Sequence, residues 1–269
     1  MIIDFHTHVF PDKIVGKTIA MLSQKANVPA YSDGTADGLI ARMEEAGVDV
    51  SVTLPVVTNP QQFDSILRFA SAINERFANE KRRLISFAGI HPACEDIEGK
   101  MALIKKSGFL GVKLHPDYQG TFIDDEGYVK ILECARENDL IVVTHAGYDF
   151  GFPDQPIRCT ADRALNLIRR VPYNKLVLAH LGAGDNYADS LEKLCGLDVY
   201  LDTSFVLPLI DRDTFAKMLE KHGADRLLFA TDSPWSSIKE SVDIIKSFSL
   251  GSEAEEKIFS GNAKALLGL

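Results

Sequence analysis

Two histidines one residue apart follow a short apolar run at the start of the chain. The run contains Ile2, Ile3 and Phe5, and the imidazoles are those of His6 and His8. Such a run is typical of a buried strand, and because side chains alternate along a strand, both imidazoles project to the same side. Converging imidazole nitrogens suit a borderline metal such as Zn²⁺. The spacing therefore predicts a metal site, with a half-exposed polar strand end as the alternative.

Most of the other histidines also stand at the carboxyl end of a predicted strand. The chain has seven histidines, and six follow such segments: His6, His8, His91, His115, His145 and His180. The seventh, His222, precedes Gly223, where a cation near a helix end is the ordinary explanation. Because strand ends cover only about a tenth of a barrel chain, we expect the six to form one site.

Predicted strands and helices alternate along the whole chain. Strand patterns lie at 2–5, 50–54, 84–90, 110–114, 140–144, 176–179, 199–201 and 227–230. Helical patterns lie at 12–25, 35–47, 63–79, 97–106, 126–137, 162–170, 186–194, 211–221 and 236–248. This alternation predicts an α/β fold, a single (β/α)₈ TIM barrel whose strand ends open on one face. A doubly wound open sheet is the alternative, although the glycine fingerprint of a dinucleotide site is missing.

Length, composition and charge indicate the number of domains and the kind of partner. The chain has 269 residues, of which 46% are hydrophobic, and no linker or low-complexity run divides it, which predicts one domain over 1–269. A net charge of −9 with scattered basic residues argues against a nucleic-acid partner. No apolar run reaches the roughly 18 residues of a membrane helix, and the first strand leaves no room for a signal peptide. We expect a cytoplasmic protein that acts on a small molecule, whether as a monomer or a homo-oligomer.

Motifs at several strand ends resemble those of the amidohydrolase superfamily. They are His-Thr-His at 6–8, Thr-His-Ala-Gly at 144–147, Ala-His-Leu-Gly at 179–182 and Phe-Ala-Thr-Asp-Ser-Pro-Trp at 229–235, with a similar closing helix at 258–263. The likeness is greatest to the amidohydrolase-related (amidohydrolase 2) branch of metal-dependent hydrolases and decarboxylases. It spans the whole chain in the right order.

The resemblance implies roles for several of these residues. His6, His8, His145 and Asp232 would bind a divalent metal, with zinc as the expected ion. His180 would be a ligand of a second metal or a general acid/base beside a single one, so the chain would hold one or two ions. Asp232 would also accept a proton from the metal-bound water, whose pKa such binding can lower from 15.7 to about 7.

Lys113 allows two interpretations. It lies two residues before His115, so both side chains should point into the barrel, and a buried lysine is costly unless it is paired or neutral. In binuclear relatives such as dihydroorotases, a lysine in a similar segment is carboxylated and bridges two metals. Alternatively, Lys113 stays an ammonium and holds an acidic substrate.

Other residues at this face are predicted to contact the substrate. His91 and His115 are not among the usual ligands of the family, so we assign them to substrate contacts, with polar positions at the barrel rim as the alternative. The loop 147–160 carries aromatic residues and Arg158, which hints at a planar or carboxylate-bearing substrate because loops on this face set specificity. Trp235 would wall the pocket or belong to the core.

Three functions compete on this basis. The first is metal-dependent hydrolysis of an amide, lactone or ester bond in a small substrate. The alternative is metal-dependent, non-oxidative decarboxylation of a small carboxylic acid, which similar proteins perform with the same ligands. A non-catalytic metal-binding protein is a remote third, because His180 and Asp232 would supply acid/base groups that such a protein does not need.

Overall fold

Eight parallel strands form the inner wall of the protein in a computed structural model that describes residues 1–269. They are β1 (Ile3–Thr7), β2 (Val50–Thr53), β3 (Arg83–Ser86 and Ala88–Gly89), β4 (Gly111–Leu114), β5 (Ile141–Thr144), β6 (Leu176–Leu178), β7 (Tyr200–Asp202) and β8 (Leu227–Leu228). Strand β3 is interrupted at Phe87, whose N–H still donates to the carbonyl of Thr53 in β2. The strands are rich in Val, Ile and Leu, as expected for strands buried on both faces.

The first and last strands also meet, which closes the sheet. The N–H of Phe5 donates to the carbonyl of Phe229 (2.9 Å). Further along, the N–H of Asp232 donates to the carbonyl of His6 (2.8 Å). The predicted (β/α)₈ TIM barrel is confirmed, and the open sheet, which would leave two edge strands unpaired, is wrong.

Helices cover the outside of the barrel. They are α1 (Val15–Ala26), α2 (Ala36–Ala46), α3 (Phe63–Phe77), α4 (Ile97–Lys106), α5 (Pro116–Gln119), α6 (Glu126–Glu137), α7 (Ala161–Arg170), α8 (Tyr187–Lys193), α9 (Arg212–His222), α10 (Ile238–Ser247), α11 (Ser252–Glu256) and α12 (Asn262–Leu267). The hydroxyl of Thr35 accepts from the N–H of Gly38, and Gly47 ends α2 with φ 73°, so the predicted caps of that helix are confirmed. None of these helices has the length and apolar character that crossing a membrane requires.

Strand side chains that point inward fill the barrel below the site. Phe5 and Val143 belong to this interior cluster, whereas a larger cluster lies between the strands and the helices. Gly111 in β4 leaves space for its neighbours: a Cβ there would lie 2.5 Å from the ring of Phe87 and from the carbonyl oxygen of Ile141. A side chain at this position would therefore disturb two adjacent strands.

His222 at the end of α9 differs from its sequence-based explanation. The side chain is buried, and burial lowers the pKa of His222 to about 4. Its Nδ1 accepts a hydrogen bond from the N–H of Gly196 (3.1 Å). The expectation of a cation at the helix end is wrong, because this imidazole is neutral at neutral pH.

Candidate metal centre

A register shift in β1 turns two histidines toward the barrel interior. Phe5 already points inside, so alternation alone would place His6 and His8 on the outer face. The pairing of β1 with β2 shifts between Asp4 and Thr7, and the two imidazoles project into the mouth of the barrel. Bulges re-aim side chains in this way at barrel rims.

Three potential ligand atoms converge where β1 and the segment after β8 end. The Nε2 atoms of His6 and His8 lie 3.2 Å apart. Asp232 Oδ1 lies 3.3 Å from His6 Nε2 and 3.1 Å from His8 Nε2. We call His6, His8 and Asp232 the first group. His6 is buried and the other two are half-buried, so the group faces the mouth of the barrel.

The hydrogen bonds of the two imidazoles test whether this group fits a metal. His6 Nδ1–H donates to Asp202 Oδ2, and His8 Nδ1–H donates to the carbonyl of Leu54, both at 2.9 Å. A neutral imidazole with its proton on Nδ1 presents a bare lone pair on Nε2. Two lone pairs and a carboxylate oxygen this close repel one another unless a cation binds between them. The donor set therefore fits a divalent ion, and three protein ligands leave positions open for substrate.

Lys113 adds a positive charge beside the first group. Its Nζ lies 2.8 Å from His6 Nε2, and only 1% of its surface is exposed. Burial lowers the pKa of Lys113 to about 8, and the charges of Asp232 and Asp202 oppose that shift. The ammonium donates to the lone pair that a metal would take from His6, so a bound ion would leave Nζ free for another anion.

The carboxylates of the site are held in their charged form. Burial opposes the charge of Asp202, but the neighbouring His6 brings its pKa down to about 2. Burial likewise opposes the charge of Asp232, yet His6 and His8 hold the pKa of this carboxyl well below its ordinary value. Burial and the charge of Lys113 lower the pKa of His6 to about 4, which keeps this imidazole neutral and able to bind a metal.

His180 links the first group to His145. His180 Nδ1–H donates to the carbonyl of Ser204 (2.9 Å), so His180 Nε2 accepts from His145 Nδ1–H (2.9 Å). This arrangement leaves a lone pair on His145 Nε2, which is buried and has no hydrogen-bond partner. The tautomers of both imidazoles follow from the single carbonyl of Ser204.

His145 lies in a second group rather than in the first. Ligand atoms of His115, His145 and Asp149 all lie within 4.8 Å of one another, and we call these residues the second group. The rings of His115 and His145 stack with centroids 4.2 Å apart, and His115 Nε2 is 3.4 Å from Asp149 Oδ2. The structure thus brings His145 close to His180 but not into the compact first group. Its role as a ligand of that ion stays a prediction.

Three further residues that the sequence predicts to contact substrate lie around this centre: His91, Arg158 and Trp235. His91 is buried, and its Nδ1 accepts from the N–H of Ala93 (3.0 Å), as a satisfied polar position at the rim would. Arg158 turns toward Asp117, with Nη1 3.6 Å from Oδ1, rather than toward open space. Trp235 is half-buried, and its backbone N–H donates to the carbonyl of Asp232. Their contacts with a substrate stay predictions.

Two carboxylates of the site, Asp202 and Asp149, were not predicted from the sequence. Asp202 at the end of β7 receives hydrogen bonds from His6 Nδ1, from the N–H of His180 and from the N–H and hydroxyl of Ser204. Because Asp202 ends a strand, its position could have placed it in the site, although that strand has no histidine at its end. Asp149 lies in the loop after β5 and offered no such signal, because only the folded loop brings it to His115.

Several backbone conformations at the site are unusual for residues with side chains. His180, Leu181 and Asp232 have φ values of 58°, 54° and 66°. Residues other than glycine in this left-handed region cost roughly 1–3 kcal/mol each and cluster at functional sites. The strain falls on two residues that carry the chemistry predicted from the sequence.

Comparison with known proteins identifies a family and a set of similar folds. The sequence model of the family described as amidohydrolase matches residues 3–269. No curated protein matches the chain in sequence.

Solved structures resemble the protein over nearly its whole length. One is a dihydroxybenzoic acid decarboxylase from Polaromonas with bound manganese and 2-nitroresorcinol (18% identity, TM-score 0.74, covering 100% of this chain and 97% of that chain). Another is 5-carboxyvanillate decarboxylase from Novosphingobium aromaticivorans with manganese and 4-hydroxy-3-methoxy-5-nitrobenzoic acid (16%, 0.74, 100% and 96%). A third is an uncharacterised TIM-barrel protein from Bordetella bronchiseptica (16%, 0.76, 99% and 98%). At these identities the likeness shows the fold.

The prediction of a hydrolase is wrong by this comparison. The similar structures named for an activity include decarboxylases of 2,6-dihydroxybenzoate and of 5-carboxyvanillate, and this finding favours the alternative that the sequence left open. The expectation of zinc also gains no support, since manganese is the ion in two of those structures.

Proposed function

The chain belongs to the amidohydrolase family, and we propose that this enzyme catalyses the metal-dependent, non-oxidative decarboxylation of a small carboxylic acid. The observation that carries the proposal is the position of the Lys113 ammonium, buried 2.8 Å from His6 Nε2 beside a three-ligand group. Together they offer a carboxylate two positive partners at one point. The decarboxylases with similar folds support this choice.

The cofactor in this proposal is one divalent ion held by His6, His8 and Asp232. When bound, such an ion would hold and orient the substrate at the mouth of the barrel. Its identity is left to measurement, because the ligand types suit zinc and the related decarboxylase structures contain manganese. In this account Lys113 stays an ammonium beside the charges of Asp232 and Asp202, and its Nζ turns to the substrate once the ion takes the lone pair of His6 Nε2.

We assign the steps of the proposed decarboxylation to individual residues of the chain. Lys113 holds one carboxylate oxygen of the substrate, and the buried walls of the barrel exclude water. Loss of CO₂ breaks the bond between the carboxyl carbon and its neighbour, and the electron pair stays on that neighbouring carbon. A proton from solvent must reach this carbon, and we assign its delivery to His180, which first takes up that proton on Nε2, the nitrogen that otherwise accepts from His145 Nδ1–H (2.9 Å), and then donates it.

The assay that tests this proposal measures CO₂. Metal-stripped protein and protein reconstituted with Mn²⁺ or Zn²⁺ are incubated with a panel of small acids labelled with ¹³C at the carboxyl carbon. Labelled CO₂ should appear with reconstituted protein and fall to background with stripped protein or with the His6→Ala, His8→Ala double variant. If no acid in the panel releases CO₂ while amides, lactones or esters are cleaved, the proposal is rejected.

His180→Ala tests the assigned proton donor. General acid–base groups contribute roughly 10²- to 10⁴-fold, so kcat for CO₂ release should fall by about that factor while bound metal is unchanged. A variant that keeps full kcat would remove His180 from the proton-delivery role and leave the rest of the proposal standing.

A further inference from the structure

We propose that Asp149 determines substrate specificity, because it accepts a hydrogen bond from a hydroxyl or amino group of the substrate and repels a second carboxylate. The inference rests on the proposed function, in which the reacting carboxylate lies at the first group and Lys113. Asp149 lies in the loop after β5, on the face of the barrel where loops set substrate choice. The substrate class is thus a small acid with a hydrogen-bond donor away from its reacting carboxylate.

The carboxylate of Asp149 has hydrogen-bonding capacity that the protein leaves unused. Only 12% of this side chain is exposed, and its Oδ1 accepts from the N–H of Gly151 (2.6 Å). Its Oδ2 lies 3.4 Å from His115 Nε2, which is beyond the usual length of an N–H···O hydrogen bond. Because an ionised carboxylate can accept about four hydrogen bonds, Oδ2 can accept from a donor on a ligand.

No cation of the protein pairs with Asp149. Its one ion-pair contact is with His115, and burial and the charge of Lys113 hold the pKa of that imidazole well below its ordinary value, so the ring is neutral. The ammonium of Lys25 lies instead 3.3 Å from the centre of the Phe152 ring. Burial raises the pKa of Asp149, because its charge is costly without a partner. A donor on the substrate would reduce this cost, whereas a second carboxylate would place like charges together.

A row of imidazole rings connects Asp149 with the first group. A carboxylate oxygen of Asp149 lies within 4.8 Å of ring nitrogens of both His115 and His145. From there the ring centroids are 4.2 Å apart for His115 and His145, 4.6 Å for His145 and His180, and 5.5 Å for His180 and His6. A substrate held by its carboxylate at the first group can therefore extend along these rings toward Asp149.

The loop itself holds Asp149 in place. It begins at Gly147, where φ is 88° and an added Cβ would lie 2.1 Å from the backbone of the segment after β6. Further along the loop, the ring of Phe152 packs edge-on against the ring of Tyr118, with centroids 4.8 Å apart. A carboxylate that is already positioned loses little conformational freedom when a ligand binds, so its hydrogen bond contributes to affinity.

The test measures the binding of substituted benzoates to Mn²⁺-loaded protein by isothermal titration calorimetry. Benzoate is the reference, and its 3- and 4-substituted hydroxyl, aminomethyl and carboxyl derivatives are compared with it. Wild type should bind a hydroxyl or aminomethyl derivative more tightly than the matching dicarboxylate, and the first two derivatives decide which donor Asp149 prefers.

Asp149→Asn removes the charge and adds an amide N–H that can donate to a carboxylate. The ratio of the Kd of the dicarboxylate to the Kd of the hydroxyl derivative should therefore fall by roughly 10- to 100-fold, the usual effect of one hydrogen bond to a charged group. Asp154→Asn is the matched control, because Asp154 is an exposed residue in the same loop, and it should keep the wild-type ratio.

Several results would overturn the inference. An equal ratio in wild type and Asp149→Asn rejects it, and so does wild-type protein that binds the dicarboxylates as tightly as the hydroxyl derivatives or binds none of the acids. The proposed function is judged separately, by CO₂ release. A preference that is lost in Asp149→Asn, without CO₂ release from any acid, would support the role of Asp149 and reject decarboxylation, whereas CO₂ release with an unchanged ratio would do the reverse.

Discussion

At the scale of single residues, Asp202 accepts hydrogen bonds from several parts of the metal centre. One carboxylate oxygen accepts from His6 Nδ1–H, and the other accepts from the backbone of His180 and from Ser204. The first contact fixes the tautomer that presents His6 Nε2 to a metal, and the others hold the segment that carries His180. Partners of this kind around a metal ligand set both its orientation and its basicity.

Replacing Asp202 should therefore weaken metal binding although Asp202 is not itself a ligand. In Asp202→Asn, the amide can still accept from His6 but loses the negative charge and cannot accept on its nitrogen. We expect the Kd for Mn²⁺ at the first group to rise by about 10- to 100-fold. Dialysis against Mn²⁺ measures it, with Asp198→Asn, an exposed carboxylate two residues before β7, as the control. An unchanged Kd would show that Asp202 has no such role.

His222 gives a pH dependence of stability that lies outside the metal centre. Its pKa is 6.5 when unperturbed and about 4 in the folded protein, so the unfolded chain binds the proton more readily. Its contribution is fully present above pH 6.5 and is lost as pH falls toward 4, by up to about 3 kcal/mol. Urea unfolding at a series of pH values should show a smaller loss in His222→Gln. Identical pH profiles for the two proteins would contradict this assignment.

At the scale of elements, the histidines at strand ends could be predicted, but their orientation could not. Alternation predicts correctly that His6 and His8 share a face, yet it places that face opposite to Phe5. The register shift between Asp4 and Thr7 reverses the face, and it depends on pairing with β2, about 45 residues away in sequence. Loop residues such as Asp149 escape prediction for the same reason, because their neighbours are set by tertiary contacts.

Strand β4 offers a test of how closely the interior layers fit. A Cβ at Gly111 would lie 2.5 Å from the backbone oxygen of Ile141, which cannot rotate away. Gly111→Ala should cost about 1–3 kcal/mol of unfolding free energy, the usual cost of overpacking. Gly16→Ala in α1 is the matched control, because nothing lies within 4 Å of the added Cβ, and helix propensity should make it neutral or slightly stabilising. Urea denaturation that finds equal stability for both variants would contradict the close packing.

At the scale of the whole molecule, the architecture was the most predictable property. Eight apolar segments alternating with helices leave few topologies, and the contact of β1 with the segment after β8 confirms closure. The reaction was not predictable in the same way, because hydrolases and decarboxylases of this family use similar ligands on the same barrel. In the function that we propose, the reaction depends on how Lys113 and the pair His145–His180 place charge and protons around the substrate, and this arrangement appears only after folding.

The most direct test of the central claim follows the atoms of the reaction. A small acid that the metal-loaded protein consumes is turned over in D₂O and, separately, in H₂¹⁸O, and the organic product is analysed by mass spectrometry. Decarboxylation predicts one deuteron on the carbon that carried the carboxyl group and no ¹⁸O in the organic product. An acid product that contains ¹⁸O and keeps its carboxyl carbon would contradict the account, because water would then be the nucleophile and no carbon–carbon bond would break.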